Sequence, residues 1–169
     1  MGRKIGLVIA YNGELFQGFQ RQPHGNTIEN SIEEVLLKHK LINQRFSPEI
    51  QYSAASRTDK GVHAIHQVIS FNTDYNPDKV VDIINNDLFP RIAAWGYFTP
   101  PWDFNARHWV LERIYIYVID KPLDISKNII TDCGSKLRSN ISLVIKYLVF
   151  ADKTMFVFRS RGFSKGEIR

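Results

Sequence analysis

The stretch Ser53–Phe71, SAASRTDKGVHAIHQVISF, constrains this chain more than any other. It joins two runs that read as strands, yet it sets Arg57, Thr58, Asp59 and Lys60 beside Gly61 and His63. A turn between strands needs a glycine and some polar residues. It does not need an arginine, an acid, a lysine and two histidines, and charge crowded onto an inter-strand loop is more often aimed at a ligand than at the core. Two readings of the residues stand side by side. In one, Arg57 and Asp59 form an ion pair that fixes the loop. In the other, Gly61 supplies a positive-φ turn that points Asp59 outward, and Arg57 reaches a phosphate or stacks on a base. Ala54, Ala55 and Ser56 are small enough to let a planar group approach the backbone.

The flanking sequence sets the frame for this loop. Ile5–Ala10 is a short apolar run that reads as a buried strand, ending at the turn signal Tyr11-Asn12-Gly13. The glutamine-rich segment Phe16–Asn26 reads equally as a surface loop anchored by its phenylalanines or as a loop touching a substrate through Arg21 and its amides. Thr27 caps a helix, with Asn30 where Glu or Gln would complete a capping box. In that helix Ile28, Ile32, Val35, Leu36 and Leu37 recur at helical spacing, and the helix ends near His39-Lys40. Glu49–Ala55 reads as a strand, and so does His66–Phe71 after the loop. Asn76-Pro77 opens a second helix bearing Val80, Ile83, Ile84 and Leu88, which Pro90 closes. Ile92–Phe98 is a fourth strand.

Strand, helix, strand, strand, helix, strand is the order of a ferredoxin-like domain. Leu111–Ile119 then alternates as a long strand, and Ile141–Phe150 with Met155–Arg159 reads as a hairpin turning at Ala151-Asp152-Lys153. Between them, Leu123–Leu137 is a weakly periodic helical candidate. The fold class expected is α+β: a ferredoxin-like N-terminal half, residues 1–105, carrying the loop, and an abbreviated second half, residues 106–169. The strands of the second half are expected to extend a mostly antiparallel sheet and complete a cleft.

Composition narrows the function classes. A chain with 44% hydrophobic and 23% charged residues is a folded globular protein, not a disordered one. Its formal charge of +5 suits a polyanionic partner. Cys133 is the only cysteine, which rules out an internal disulfide and a cysteine-based zinc site. His63 and His66 lack an acid or cysteine at ligand spacing, so no metal is expected. No Gly-rich phosphate loop or nucleophile elbow is present. No run is long enough to span a bilayer and no export signal is evident, so no membrane partner is expected and the location expected is the cytoplasm or an organelle matrix.

The loop also resembles the TruA family of tRNA pseudouridine synthases, whose signature runs G-R-T-D-A-G-V-H before a strand with G-Q-V. Here the sequence is Ser56-Arg57-Thr58-Asp59-Lys60-Gly61-Val62-His63, then His66-Gln67-Val68. Tyr11-Asn12-Gly13 with Phe16-Gln17-Gly18-Phe19-Gln20-Arg21-Gln22 resembles the family's Y-D-G…G-W-Q-R-Q. Asn85-Asn86-Asp87-Leu88-Phe89-Pro90 is similar to N-x-x-L-P, Asp103-Phe104-Asn105-Ala106-Arg107 to D-F-x-A-R, and Arg113-Ile114-Tyr115-Ile116-Tyr117 to R-x-Y-x-Y. Motifs of this kind in the same order are far more specific than any one alone. Phe163 and Arg169 stand at the spacing of the family's F-x-x-x-M-V-R, while Pro122–Asn140 resembles a shortened substitute for longer helices.

The resemblance implies isomerisation of uridine to pseudouridine in tRNA, in the anticodon stem-loop by the family's habit, with neither cofactor nor metal. It implies that Asp59 is the essential carboxylate, that Tyr115 packs on the uracil, and that Arg57 holds the target base out of the stack. RNA contacts fall to Arg21, Gln22, Lys60, His63, Asn105 and Arg107, and Arg169 corresponds to the ion-pair partner of the catalytic acid. On the residues alone, Tyr115 reads as a core tyrosine on a strand. The resemblance further implies a homodimer with tRNA across it. The shortened second half leaves open a second function, a tRNA-binding protein derived from a synthase with reduced or no catalysis.

Overall fold

Strand β1, Arg3–Tyr11, sends Ile5, Leu7, Ile9 and Tyr11 to one buried face, the period-two alternation that its sequence shows. It lies between β3, Ala64–Thr73, and β4, Ile92–Phe98, antiparallel to both. Because register preserves face, Ile5 stands opposite Phe71, Leu7 opposite Ile69 and Ile9 opposite Ala94, all of them buried. Helices α1, Ile28–Lys38, and α2, Pro77–Leu88, add Ile28, Ile32, Val35 and Leu36, and Val80, Ile84 and Leu88, to the same core. The computed structural model describes residues 2–119, 144–150 and 153–161.

Both helices start where side-chain chemistry directs. The Thr27 hydroxyl accepts from the Asn30 N–H at 3.2 Å, and the Asn76 carboxamide accepts from the Asp78 N–H at 3.0 Å ahead of Pro77. The Asn30 side chain turns backward and donates to the carbonyls of Gln22 and Gly25, tying the preceding loop to the helix.

Strand β2 is much shorter than the sequence suggests. The expected strand Glu49–Ala55 forms only at Ser53–Ala54, which pairs with Ser70 and Ile69. Upstream, the Gln51 N–H bonds back to Ser47 and Pro48, and Gln51 takes φ 49°, so the segment coils where an extended chain was expected. Proline at the head of a turn favours that geometry. The sheet order is β2-β3-β1-β4 with every neighbouring pair antiparallel, and with α1 and α2 in the two crossovers this is a ferredoxin-like α+β arrangement.

The chain divides into two compact units, Met1–Trp109 and Val110–Arg169. The second holds an antiparallel sheet in the order β5-β7-β6, from β5 (Glu112–Ile119), β6 (Val144–Phe150) and β7 (Lys153–Arg161). Strands β6 and β7 form the expected hairpin, with Phe150 opposite Lys153. Leu123–Leu137, the weak helical candidate, lies outside the described residues.

Strand β4 ends the first sheet, and an unguarded edge offers hydrogen bonds to any passing strand. Asn85 on α2 closes part of it. Its carboxamide donates to the Ala94 carbonyl at 2.7 Å and accepts from the Ala94 N–H at 2.8 Å, imitating a neighbouring peptide group. Ala94 is buried, so Asn85→Ala leaves a dry peptide group unpaired and is expected to cost about 1–3 kcal/mol in urea denaturation. An unchanged unfolding midpoint refutes this role for Asn85.

Candidate active site

The loop between β2 and β3 is held by its backbone while its charged heads face solvent. The Ala55 N–H extends the β2 pairing to the Val68 carbonyl at 2.8 Å. The Gln67 amide donates to the Ser56 carbonyl at 2.7 Å. The Thr58 carbonyl accepts from the Phe19 N–H at 3.0 Å, and its hydroxyl meets the Tyr11 hydroxyl at 2.8 Å. The Val62 N–H then bonds the Asp59 carbonyl at 3.2 Å, closing a turn with Gly61 in its third place at φ +82°. Ser56 and Thr58 are thus tied inward, while Arg57, Asp59, Lys60 and His63 are exposed.

Among the described residues Arg57 and Asp59 form no ion pair with each other, so the reading in which they fix the loop together does not hold in this structure. Arg57 instead donates to the Gln20 carboxamide across 3.4 Å, near the limit for such a bond. The positive-φ turn expected at Gly61 is present.

Segment Phe16–Asn26 flanks this loop through its anchored phenylalanines. Phe16 and Phe19 are buried, and the Phe19 ring lies 5.9 Å from that of Tyr11. Gln22 is exposed. Arg21 has structural partners: its guanidinium is 2.7 Å from the Glu33 carboxylate and its N–H donates to Glu29 at 2.7 Å. Tyr52, immediately before β2, places its hydroxyl in the interior without a hydrogen-bond partner among the described residues. Burial, reinforced by the negative charge of Glu29, pushes its pKa well above the usual tyrosine value.

Asn105 and Arg107 are brought to the same end of the first unit. The Ala106 N–H donates to the Ser53 hydroxyl at 2.8 Å, which meets the Ser70 hydroxyl at 2.7 Å, so the segment docks on the strand that leads into the loop. The Asn105 side chain accepts from the Arg107 N–H at 3.0 Å, and Arg107 stays exposed. Tyr115 belongs to the second unit, on β5 opposite Phe158, and is 39% exposed, not a core tyrosine. Arg169 lies outside the described residues. Among the described residues no three His, Cys, Asp or Glu side chains converge, and no helix is long and apolar enough to cross a membrane.

Three neighbours of the loop were given no role of their own by the sequence reading: Tyr11, Ser53 and Gln67. Two of them carry a signal. Tyr11 continues the inward series Ile5, Leu7, Ile9, and Gln67 occupies the inward register of Ile69 and Phe71. A polar group at a core register needs a partner there.

Comparison with known proteins finds relatives of this chain. The sequence model of a family described as tRNA pseudouridine synthase matches residues 7–97. The chain is 40% identical over 125 residues to tRNA pseudouridine synthase A of Methanosarcina mazei, covering 73% of this chain and 46% of that protein. It is 39% identical over 125 residues to the protein of the same name in Thermococcus sibiricus, with the same coverage. Against that of Paraburkholderia xenovorans it is 34% identical over 119 residues, 69% of this chain and 42% of the relative. The chain thus spans under half the length of these relatives.

Two glycines hold the loop for different reasons, and substitution separates them. A Cβ at Gly61 meets nothing within 4 Å but is forced to φ +82°, so Gly61→Ala is expected to cost about 1–2 kcal/mol without moving neighbours. A Cβ at Gly13 collides with the backbone of Val62, so Gly13→Ala must displace the loop itself. Denaturation curves and the Val62 amide chemical shift measure both effects. An undisturbed Val62 amide in Gly13→Ala contradicts the assignment.

Proposed function

The chain belongs to the tRNA pseudouridine synthase family, and on that footing we propose that it isomerises uridine to pseudouridine in tRNA, with Asp59 as the essential carboxylate. The reaction is an internal rearrangement. The bond from uracil N1 to the ribose breaks, the base turns, and a bond from C5 to the same ribose carbon forms. C5 loses a proton and N1 gains one, so no oxidant, reductant or group donor is required.

The observation that carries the proposal is the loop itself. Arg57 and Asp59 stand exposed and unpaired with each other on a backbone tied at Ser56, Thr58 and Val62. A carboxylate that must act on a displaced base needs a fixed mount and a free head. Arg57, two residues away, has a planar guanidinium suited to stack against bases or hold a phosphate, and it is assigned to keeping the target nucleotide out of the stack. Lys60, His63, Asn105 and Arg107 are assigned to the surrounding RNA, the last two on the segment docked at Ser53. Gln22 joins them from the neighbouring loop. Arg21 is assigned to shaping that loop through Glu33, with any RNA contact made by the part of its side chain left exposed.

Roles for Tyr115 at the uracil and Arg169 as charge partner of the acid rest on motif resemblance alone, as do the anticodon stem-loop as target and a homodimeric enzyme. One competing reading is tested by the same experiment, a protein that grips tRNA without turning it over.

Tritium release from C5-labelled uridine in tRNA distinguishes the two. The wild-type chain is expected to release tritium and Asp59→Ala to release none, with tRNA affinity within about threefold because a carboxylate contributes no phosphate contact. Equal release from both proteins sinks the assignment of Asp59, and no release from the wild type leaves the binding-only reading. In either case affinity should fall steeply with salt, since phosphate contacts release counterions.

A further inference from the structure

Building on the proposed reaction, we infer that Tyr11 and Gln67 are positioning residues that clamp the catalytic loop on both sides of Arg57. Gln67 takes the Ser56 carbonyl at 2.7 Å on one side, and Tyr11 takes the Thr58 hydroxyl at 2.8 Å on the other. Both side chains are buried, at 4% and 5% exposure. Both come from the two central strands of the sheet, where Tyr11 at the end of β1 stands opposite Ala64 at the start of β3. The loop is therefore referenced to the two central strands of the sheet, not merely to itself.

Most buried tyrosines and glutamines find a partner, so hydrogen bonding alone does not distinguish a clamp from ordinary core accounting. The registers do. Tyr11 follows Ile5, Leu7 and Ile9, and Gln67 precedes Ile69 and Phe71, so an apolar residue would pack at either place with no polar group to satisfy. Each spends its polar end on the loop. Thr58 is also held through its carbonyl by the Phe19 N–H, so the residue immediately before Asp59 is fixed by two bonds from different elements. The Gln67 carboxamide also accepts from the Val68 N–H at 3.2 Å, which orients its amide toward Ser56. The Tyr11 ring rests against Phe19, so its hydroxyl has little freedom to follow a drifting loop. Burial, which outweighs the hydrogen bonds with Thr58 and Gln67, raises the Tyr11 pKa above the usual tyrosine value.

A carboxylate acting on a reacting atom loses much of its effect when displaced by an ångström. The clamp is thus expected to act on turnover rather than on tRNA binding, because neither Tyr11 nor Gln67 reaches the exposed surface. Tyr11→Phe and Thr58→Val remove the bond while keeping shape, and Thr58→Ser keeps the hydroxyl. In the full 169-residue chain, kcat for tritium release is expected to fall about ten- to a hundredfold in Tyr11→Phe and Thr58→Val with KM for tRNA nearly unchanged. Thr58→Ser should stay close to wild type, and the double variant should be no worse than the poorer single. A rise in KM with kcat intact, or multiplicative losses in the double variant, overturns the inference.

Amide hydrogen exchange reads the clamp without any turnover. In Tyr11→Phe, the Phe19 and Val62 amides should exchange faster while those of Leu7 and Ile69 in the sheet do not change. Unchanged exchange at Phe19 and Val62, or equal acceleration in the sheet, refutes a local clamp. If the wild-type chain releases no tritium, the proposed function fails, and exchange alone then decides whether Tyr11 holds the loop.

Discussion

A carboxylate without access to water is stable only if hydrogen bonds and cations replace its hydration, and Glu33 on α1 shows how much of this fold follows from meeting that demand. The side chain is 0% exposed, and Arg21, Arg45 and the Phe46 N–H all donate to it between 2.6 and 2.7 Å. Arg21 belongs to the segment before α1, and Arg45 and Phe46 to the segment after it. The first segment supplies Phe19, whose N–H holds Thr58 in the candidate active site. The second supplies the Phe46 ring, stacked at 3.9 Å on Tyr52 just before β2. One buried charge thereby sets both the approach to the loop and the entry into it.

The candidate site inherits its character from that arrangement. Its backbone atoms are committed to β1, β3 and the Phe16–Asn26 segment, whereas the heads of Arg57, Asp59, Lys60 and His63 are exposed. Preorganisation of this kind moves the entropic cost of ordering into folding, so that binding need not supply it. The contrast is with Asp87, whose pKa is lowered by hydrogen bonds from Lys38 and then His39 at the helix ends. That cluster is open to solvent, where such pairs stabilise little, and it holds no loop in place.

Much of the architecture was legible. Helix α1 begins after Thr27 and α2 after Asn76 because short polar side chains at those places satisfy the first free N–H groups. Strand β4 runs over the expected Ile92–Phe98, and the β6–β7 hairpin falls where alternation predicts it. Strand β2 did not, because Glu49–Tyr52 alternates acceptably while its backbone is drawn into a turn behind Pro48. Glu29 and Glu33 fall between the apolar positions of α1 in the sequence, yet both are buried. Their donors lie on segments 8 to 13 residues away, beyond the reach of helical periodicity. Arg21, expected at RNA, spends its guanidinium on one of them.

The sequence by itself determined the family, the order of the elements and the identity of the charged loop, since each is written in residue types at short, fixed spacings. Which of those charges are free was decided only by tertiary structure. Whether Arg57 pairs with Asp59, whether Arg21 faces a ligand or Glu33, and what Tyr11 and Gln67 do at inward registers all depend on contacts between distant segments. Hydrogen bonds are satisfied by whatever the fold brings within about 3 Å, and spacing along a chain carries no record of that distance.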